Sequence, residues 1–284
     1  MHGVRRIGVI GSGQMGGGIA QVAAQSGFDT VVYDLDSAAL DRCKSLHDKL
    51  FARAVEKSRM TEDQAREAKG RLVYTDQATE LHAADAVIEA VVEKAEVKKD
   101  IFRSLAPALS ADAILASNTS SISITDLATS VGVRADRFIG MHFFNPVPVM
   151  KLVEVINGLA TSPRTTERVL ALAAAMGKTA VPANDRAGFV SNRILMPMIN
   201  EAFYAWMEGV AQPEHIDEIM KLGMAHPMGP LRLADFIGLD TCAHIMEVLA
   251  EGLNDARYRP CPLLKQLVTA GRLGDKTGHG VFKY

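Results

Sequence analysis

Up to about residue 184 the chain alternates short, β-branched apolar runs with longer stretches in which apolar residues recur every three or four positions. The short runs predict strands at 6–10, 30–33, 71–74, 86–90, 113–116 and 137–141, with two more at 150–155 and 178–182. The longer stretches at 15–26, 38–57, 97–109 and 165–176 carry the helical period. Strands alternating with helices predict a parallel sheet wound on both faces. Beyond Asp185 the strand pattern ends. Helices are expected at 189–207, 213–222, 232–251 and 263–270, broken by His226-Pro227-Met228-Gly229-Pro230 and Tyr258-Arg259-Pro260. The expected organisation is therefore an α/β domain over 1–184, with a helical insertion near 38–69, followed by an all-helical domain over 185–284.

Composition narrows the function classes. With 48% hydrophobic and 23% charged residues in 284, the chain can bury a core without staples. Its formal charge of −2 provides no global field for nucleic acid or an anionic membrane, so any phosphate must be held locally. Cys43, Cys242 and Cys261 are odd in number and far apart, which excludes a disulfide framework and a thiolate zinc site and suits a reducing cytoplasm. No apolar run approaches the ~18 residues of a membrane span. The start of the chain imitates a secretion signal, with Arg5 and Arg6 ahead of apolar residues, but glycines and Gln14 interrupt it.

Those glycines have a better use. The first expected strand runs straight into Gly11-Ser12-Gly13-Gln14-Met15-Gly16 and then a helix. This is Gly-x-Gly-x-x-Gly in the strand–turn–helix context of a Rossmann-type dinucleotide site: Gly11 for the turn, Gly13 for close approach of a pyrophosphate, Gly16 for helix packing. The plain alternative is a tight turn. A second feature argues against it: Asp34 ends the next strand, 18 residues past Gly16, where an acid accepts hydrogen bonds from the adenosine ribose and repels a 2′-phosphate. NAD is the expected cofactor. Asp36 is expected to cap a helix or face water.

The expected strand at 137–141 leads into His142-Phe143-Phe144-Asn145-Pro146-Val147-Pro148, which places a histidine at the carboxyl end of a sheet strand. Glu154 then interrupts the apolar run Lys151-Leu152-Val153-Glu154-Val155. An ionisable residue among apolar ones needs a partner, and His142 would be fixed in tautomer and made more basic by Glu154. The alternative is that Glu154 faces water on an edge strand. No two histidines share helical ligand spacing with a carboxylate, so no metal is expected.

The sequence resembles the 3-hydroxyacyl-CoA dehydrogenase family, particularly its short monofunctional bacterial 3-hydroxybutyryl-CoA members, over essentially its whole length. The likeness rests on the glycine loop, Ala116-Ser117-Asn118-Thr119-Ser120-Ser121, Gly140-Met141-His142-Phe143-Phe144-Asn145-Pro146, Gly188-Phe189-Val190-Ser191-Asn192-Arg193, His226-Pro227-Met228-Gly229-Pro230, Gly238-Leu239-Asp240-Thr241 and Lys276-Thr277-Gly278. One departure is Ala187, where proline commonly precedes the glycine. The resemblance implies His142 as general base with Glu154 as its partner, and Ser120 and Asn192 as donors to the substrate oxygens. Cofactor contacts would fall on Gly11, Gly13, Gln14, Met15 and Gly16 of the loop and on Asp34, Glu93, Lys98, Asn145 and Lys276. It further implies an acyl-CoA substrate, acetoacetyl-CoA by preference, and a homodimer formed through the helical domain.

Lys49, Arg53 and Lys57 follow at i, i+4 and i+8 on one helix. They are expected either to attract CoA phosphates or to form an ordinary solvated face. Two other functions stay open on the sequence: a dehydrogenase of a free hydroxy acid of the gulonate type, sharing the His–Glu scaffold, and a non-catalytic NAD-binding protein. A hydroxyisobutyrate-type enzyme would carry lysine four positions ahead of Asn192, where Gly188 stands.

Overall fold

A computed structural model of the protein describes residues 3–284; the first two residues of the expected N-terminal domain lie outside them. The chain divides into two compact units, Met1–Asp185 and Arg186–Tyr284. The first is built on one eight-stranded sheet in the order β3-β2-β1-β4-β5-β6-β7-β8. Its strands are β1 (Arg6–Ile10), β2 (Asp29–Tyr33), β3 (Leu72–Thr75), β4 (Ala86–Glu89), β5 (Ile114–Ser117), β6 (Phe138–Phe143), β7 (Leu152–Asn157) and β8 (Thr179–Asn184). The order reverses between β1 and β4, and α/β proteins bind ligands at the carboxyl ends of strands flanking such a switch point.

Six strands run parallel, as the alternating pattern predicts. The last two do not: β6 and β7 are antiparallel, and β8 runs parallel to β7. No helix separates β6 from β7, so a parallel crossover has no connection to use. The turn between them also moves β7 two residues along from the expected strand at 150–155, because the Val149 and Met150 N–H groups both turn back to the Pro146 carbonyl. β8 closes the sheet as an edge strand, where Pro182 costs no central ladder bond.

Helices α1 (Gln14–Gln25), α2 (Ser37–Glu56), α3 (Glu62–Gly70), α4 (Ala95–Leu105), α5 (Ile124–Ala128) and α6 (Pro163–Ala175) complete this unit. Asp36 caps α2 through the Ala38 N–H, and Thr61 and Gln64 form a reciprocal capping box on α3. The core joins Ile7, Val9 and Val32 of the central strands to Ile19 and Ala23 of α1 and to Val169 and Leu172 of α6.

The second unit contains α7 (Ser191–Met207), α8 (Pro213–Gly223), α9 (Pro230–Ile237), α10 (Leu239–Gly252) and α11 (Pro262–Thr269). The single helix expected at 232–251 is two helices, because Gly238 sits at φ 103°, outside any helical conformation. Phe203, Leu231, Leu239, Met246 and Leu264 lie in a separate core. Asp217 from α8 accepts the Leu231 and Arg232 N–H groups at the start of α9, and Asp235 accepts those of Val281 and Phe282. These buried carboxylates satisfy backbone donors and need no functional explanation.

Candidate active site

The glycine loop is a product of β1 pairing with β2. Ile10 lies opposite Tyr33, and the Gly11 N–H donates to the Tyr33 carbonyl at 2.9 Å. Gly11 holds φ 99°, and a methyl on Gly16 would run into the Gly11 carbonyl. Gly13, the residue preceding α1, instead has open space where a side chain would project. Gln14 and Met15 form the first turn of α1, which carries no acidic residue. An open helix N-terminus with unpaired N–H groups fits the pyrophosphate of a dinucleotide.

Asp34 follows β2 beside this loop. Its Oδ2 accepts from the Ser12 N–H at 2.8 Å and from Ser12 Oγ at 2.7 Å, and its Oδ1 accepts from the Asp36 N–H at 3.1 Å. Burial acts to raise its pKa, but the bonds from Ser12, Asp36 and Leu35 outweigh it and hold the carboxyl below its ordinary value. The group is an anionic acceptor at neutral pH.

A second cluster lies at the ends of β4 and β5. Glu89 is fully buried and accepts from Lys98 Nζ at 2.6 Å, Ser117 Oγ at 2.6 Å and the Val91 N–H at 2.7 Å. Lys98, 1% exposed, also pairs with Glu93 at 3.2 Å. Glu93 accepts the Ser120 and Ser121 N–H groups at 2.9 and 3.2 Å and the Thr119 hydroxyl at 2.5 Å. Desolvation raises the Glu93 pKa, while Lys98 and these donors lower it further, leaving it depressed. Glu93, Lys98 and Ser120 are thus one connected group, with the Lys98 ammonium enclosed between two glutamates. Glu89 and Ser117 were not expected from the sequence. The signal available was the one that marks Glu154: an acid ending the apolar strand 86–89.

The third cluster is the histidine pair. His142 and Glu154 are directly opposite in the β6–β7 ladder, 7% and 4% exposed, with Nδ1 2.7 Å from Glu154 Oε2. A carboxylate at Nδ1 fixes the proton there and makes Nε2 the proton acceptor. The reading of Glu154 as water-facing is therefore incorrect. Phe144 packs on the imidazole at 4.6 Å between ring centres. Asn118 ties this strand to the end of β5, its Oδ1 accepting the Phe143 N–H at 2.9 Å.

The loop after His142 carries Asn145 and is anchored by Lys178, whose buried Nζ donates to the Val147 and Met150 carbonyls at 2.5 and 2.8 Å. Asn145, Pro146 and Val147 line one wall of a cavity of about 990 Å³, and α1 and α2 supply others. Of the cationic stripe, Arg53 and Lys57 line it, joined by Arg42 and Arg59; Lys49 does not. Four cations with no acid among the lining residues suit an anionic ligand. The cavity floor includes His47, whose Nε2–H donates to the Gly17 carbonyl at 2.9 Å while Nδ1 meets the Tyr74 hydroxyl at 2.6 Å.

Asn192 and Lys276 belong to the second unit. Asn192 is buried in the first turn of α7, and Lys276 is paired with both Asp240 oxygens at 2.5 and 2.7 Å. Among the described residues, no group of three or more His, Cys, Asp or Glu side chains could hold a metal, and no helix is long and apolar enough to cross a membrane.

Two family models together match nearly the whole chain: the NAD binding domain of 3-hydroxyacyl-CoA dehydrogenase over residues 6–186, and its C-terminal domain over 188–284. A probable 3-hydroxybutyryl-CoA dehydrogenase of Deinococcus radiodurans is 57% identical over 98% of this chain and 100% of its own length. The 3-hydroxybutyryl-CoA dehydrogenase of Bradyrhizobium diazoefficiens is 51% identical over 99% of this chain and 96% of its own. Among solved structures, the (S)-3-hydroxybutyryl-CoA dehydrogenase of Ralstonia eutropha superposes with a TM-score of 0.96, at 48% identity and 99% coverage of each chain.

Proposed function

The chain belongs to the 3-hydroxyacyl-CoA dehydrogenase family, and on that premise we propose that it interconverts (S)-3-hydroxyacyl-CoA and 3-oxoacyl-CoA, acting on short chains such as acetoacetyl-CoA. The cofactor is NAD, which supplies the hydride acceptor when bound along Gly11–Gly16 and Asp34. The observation that carries the reading is the buried His142–Glu154 pair at 2.7 Å. In oxidation the C3 hydrogen leaves as hydride and the hydroxyl proton passes to His142 Nε2; reduction reverses both. Glu154 orients the ring and favours the imidazolium that forms. Ser120 donates to the substrate oxygen as charge develops on it, held in place by Glu93 and Lys98.

Asn145, Glu93 and Lys98 are proposed cofactor-site residues, Lys98 acting through Glu93 because the lysine itself is enclosed. Asn192 and Lys276 are assigned to substrate and cofactor by the family motifs alone. The Arg53 and Lys57 wall is the proposed seat of the CoA phosphates. We assign the helical unit to substrate binding and dimerisation: Ile194, Ile219, Leu222 and Phe236 are exposed apolar residues there, and sedimentation at micromolar concentration reads the dimer directly. Three free buried cysteines favour a cytoplasmic location.

NADH oxidation with acetoacetyl-CoA, free acetoacetate and the keto acid of gulonate oxidation tests the function. Turnover confined to the thioester is expected. Equal turnover of a free acid would install the gulonate-type reading, and no turnover with any would leave a binding protein.

A further inference from the structure

One of the three glycine-loop residues that the motif leaves unspecified has a defined task. Ser12 is 6% exposed and stands between Gly11 and Gly13, beside the end of β2. Both its donors converge on one atom, Asp34 Oδ2, at 2.8 Å from the backbone nitrogen and 2.7 Å from Oγ. Oδ1 accepts from the Asp36 N–H at 3.1 Å, and the Leu35 N–H also bonds the carboxylate. A carboxylate offers about four acceptor positions. Donors from Ser12, Asp36 and Leu35 already engage them from the protein side.

A ribose diol brings two hydroxyl donors, so Asp34 alone cannot take both without displacing a bond it already makes. Ser12 Oγ can accept the second: its proton is given to Asp34, and its oxygen keeps two lone pairs. We propose that Ser12 is a specificity-determining residue, which reads the adenosine ribose jointly with Asp34 and excludes a 2′-phosphate. The exclusion follows from the same commitment. A phosphate has no proton to donate at neutral pH, and it would meet an anionic oxygen and a hydroxyl whose hydrogen points away. To welcome the phosphate, Ser12 would have to release Asp34, leaving the carboxylate less well held and the two anions adjacent.

The inference rests on the dinucleotide reading of the loop. Its test is a titration of NADH and NADPH binding by fluorescence, on wild type, Ser12→Ala, Asp34→Asn and the double variant. Ser12→Ala keeps the backbone bond and adds no bulk. It should weaken NADH about 5- to 10-fold, the scale of one hydrogen bond between uncharged groups, while NADPH changes less than about twofold. The preference for NADH should shrink accordingly. In the Asp34→Asn background the serine should matter much less, because the two act as a unit. A wild-type NADH:NADPH ratio in Ser12→Ala, tighter NADH binding, or full additivity in the double variant would overturn the assignment while leaving the enzyme's function intact. Wild type that binds neither dinucleotide would instead overturn the cofactor site itself.

Discussion

His142 and Glu154 were legible one residue at a time: each is a polar residue in an apolar strand, and burying either without a partner would cost several kcal/mol. Their pairing was legible as the need of each for a partner, but the antiparallel return of β7 beside β6 that sets them opposite was not. Glu89 bears the same mark at the end of β4. Only the fold brings Lys98 and Ser117 over it. The pair itself makes a residue-scale prediction. His142→Ala should lose roughly 10² to 10⁴ in kcat, the usual contribution of a positioned base, with NADH affinity retained. Glu154→Gln should lower kcat on its own, yet the double variant should be about as slow as His142→Ala, since nothing remains to orient. Steady-state kinetics on the three proteins decides it: losses that multiply would place the proton acceptor elsewhere.

At the scale of an element, α2 shows how far periodicity reaches. At 3.6 residues per turn each i+4 step overshoots a full turn by about 40°, so Lys49, Arg53 and Lys57 curl around the helix rather than sharing one line. Arg42, eleven positions before Arg53, returns to within about 20° of it. The sequence pattern could name a charged face, but only the packing of α1 and the 145–149 segment decides which side of the stripe closes a cavity. Neutralising Arg53 and Lys57 should therefore raise KM for acetoacetyl-CoA with kcat nearly constant, and Lys49→Gln should not. The increase should fade with rising salt. An equal KM change at Lys49, measured at low ionic strength, would return the stripe to ordinary solvated charge.

Across the whole molecule the architecture was readable because β-branched runs alternate with helical stretches up to about Asp185, and beyond it only the helical period continues. What escaped was direction: β7 runs antiparallel to β6, and β8 follows β7. One global property follows from His47, buried between α1, α2 and β3. Burial lowers its pKa against the opposing Gly17 bond and Asp48. The unfolded chain thus takes up the proton first as pH falls. The stabilisation is complete above the unfolded value of 6.5 and is lost as pH falls below it toward the lower folded value. Urea midpoints at pH 7.5 and 5.5 should fall more for wild type than for His47→Gln. An identical fall would acquit the histidine.

The reversal of β7 has an evolutionary reading. Because His142 and Glu154 face each other across a backbone ladder, their spacing is fixed by the sheet and owes little to the residues joining them. That joining segment forms part of the cavity wall, clasped from beneath by Lys178. The cassette that lines the cavity can therefore change, altering what is admitted, while the facing His142–Glu154 pair at its two ends keeps its geometry.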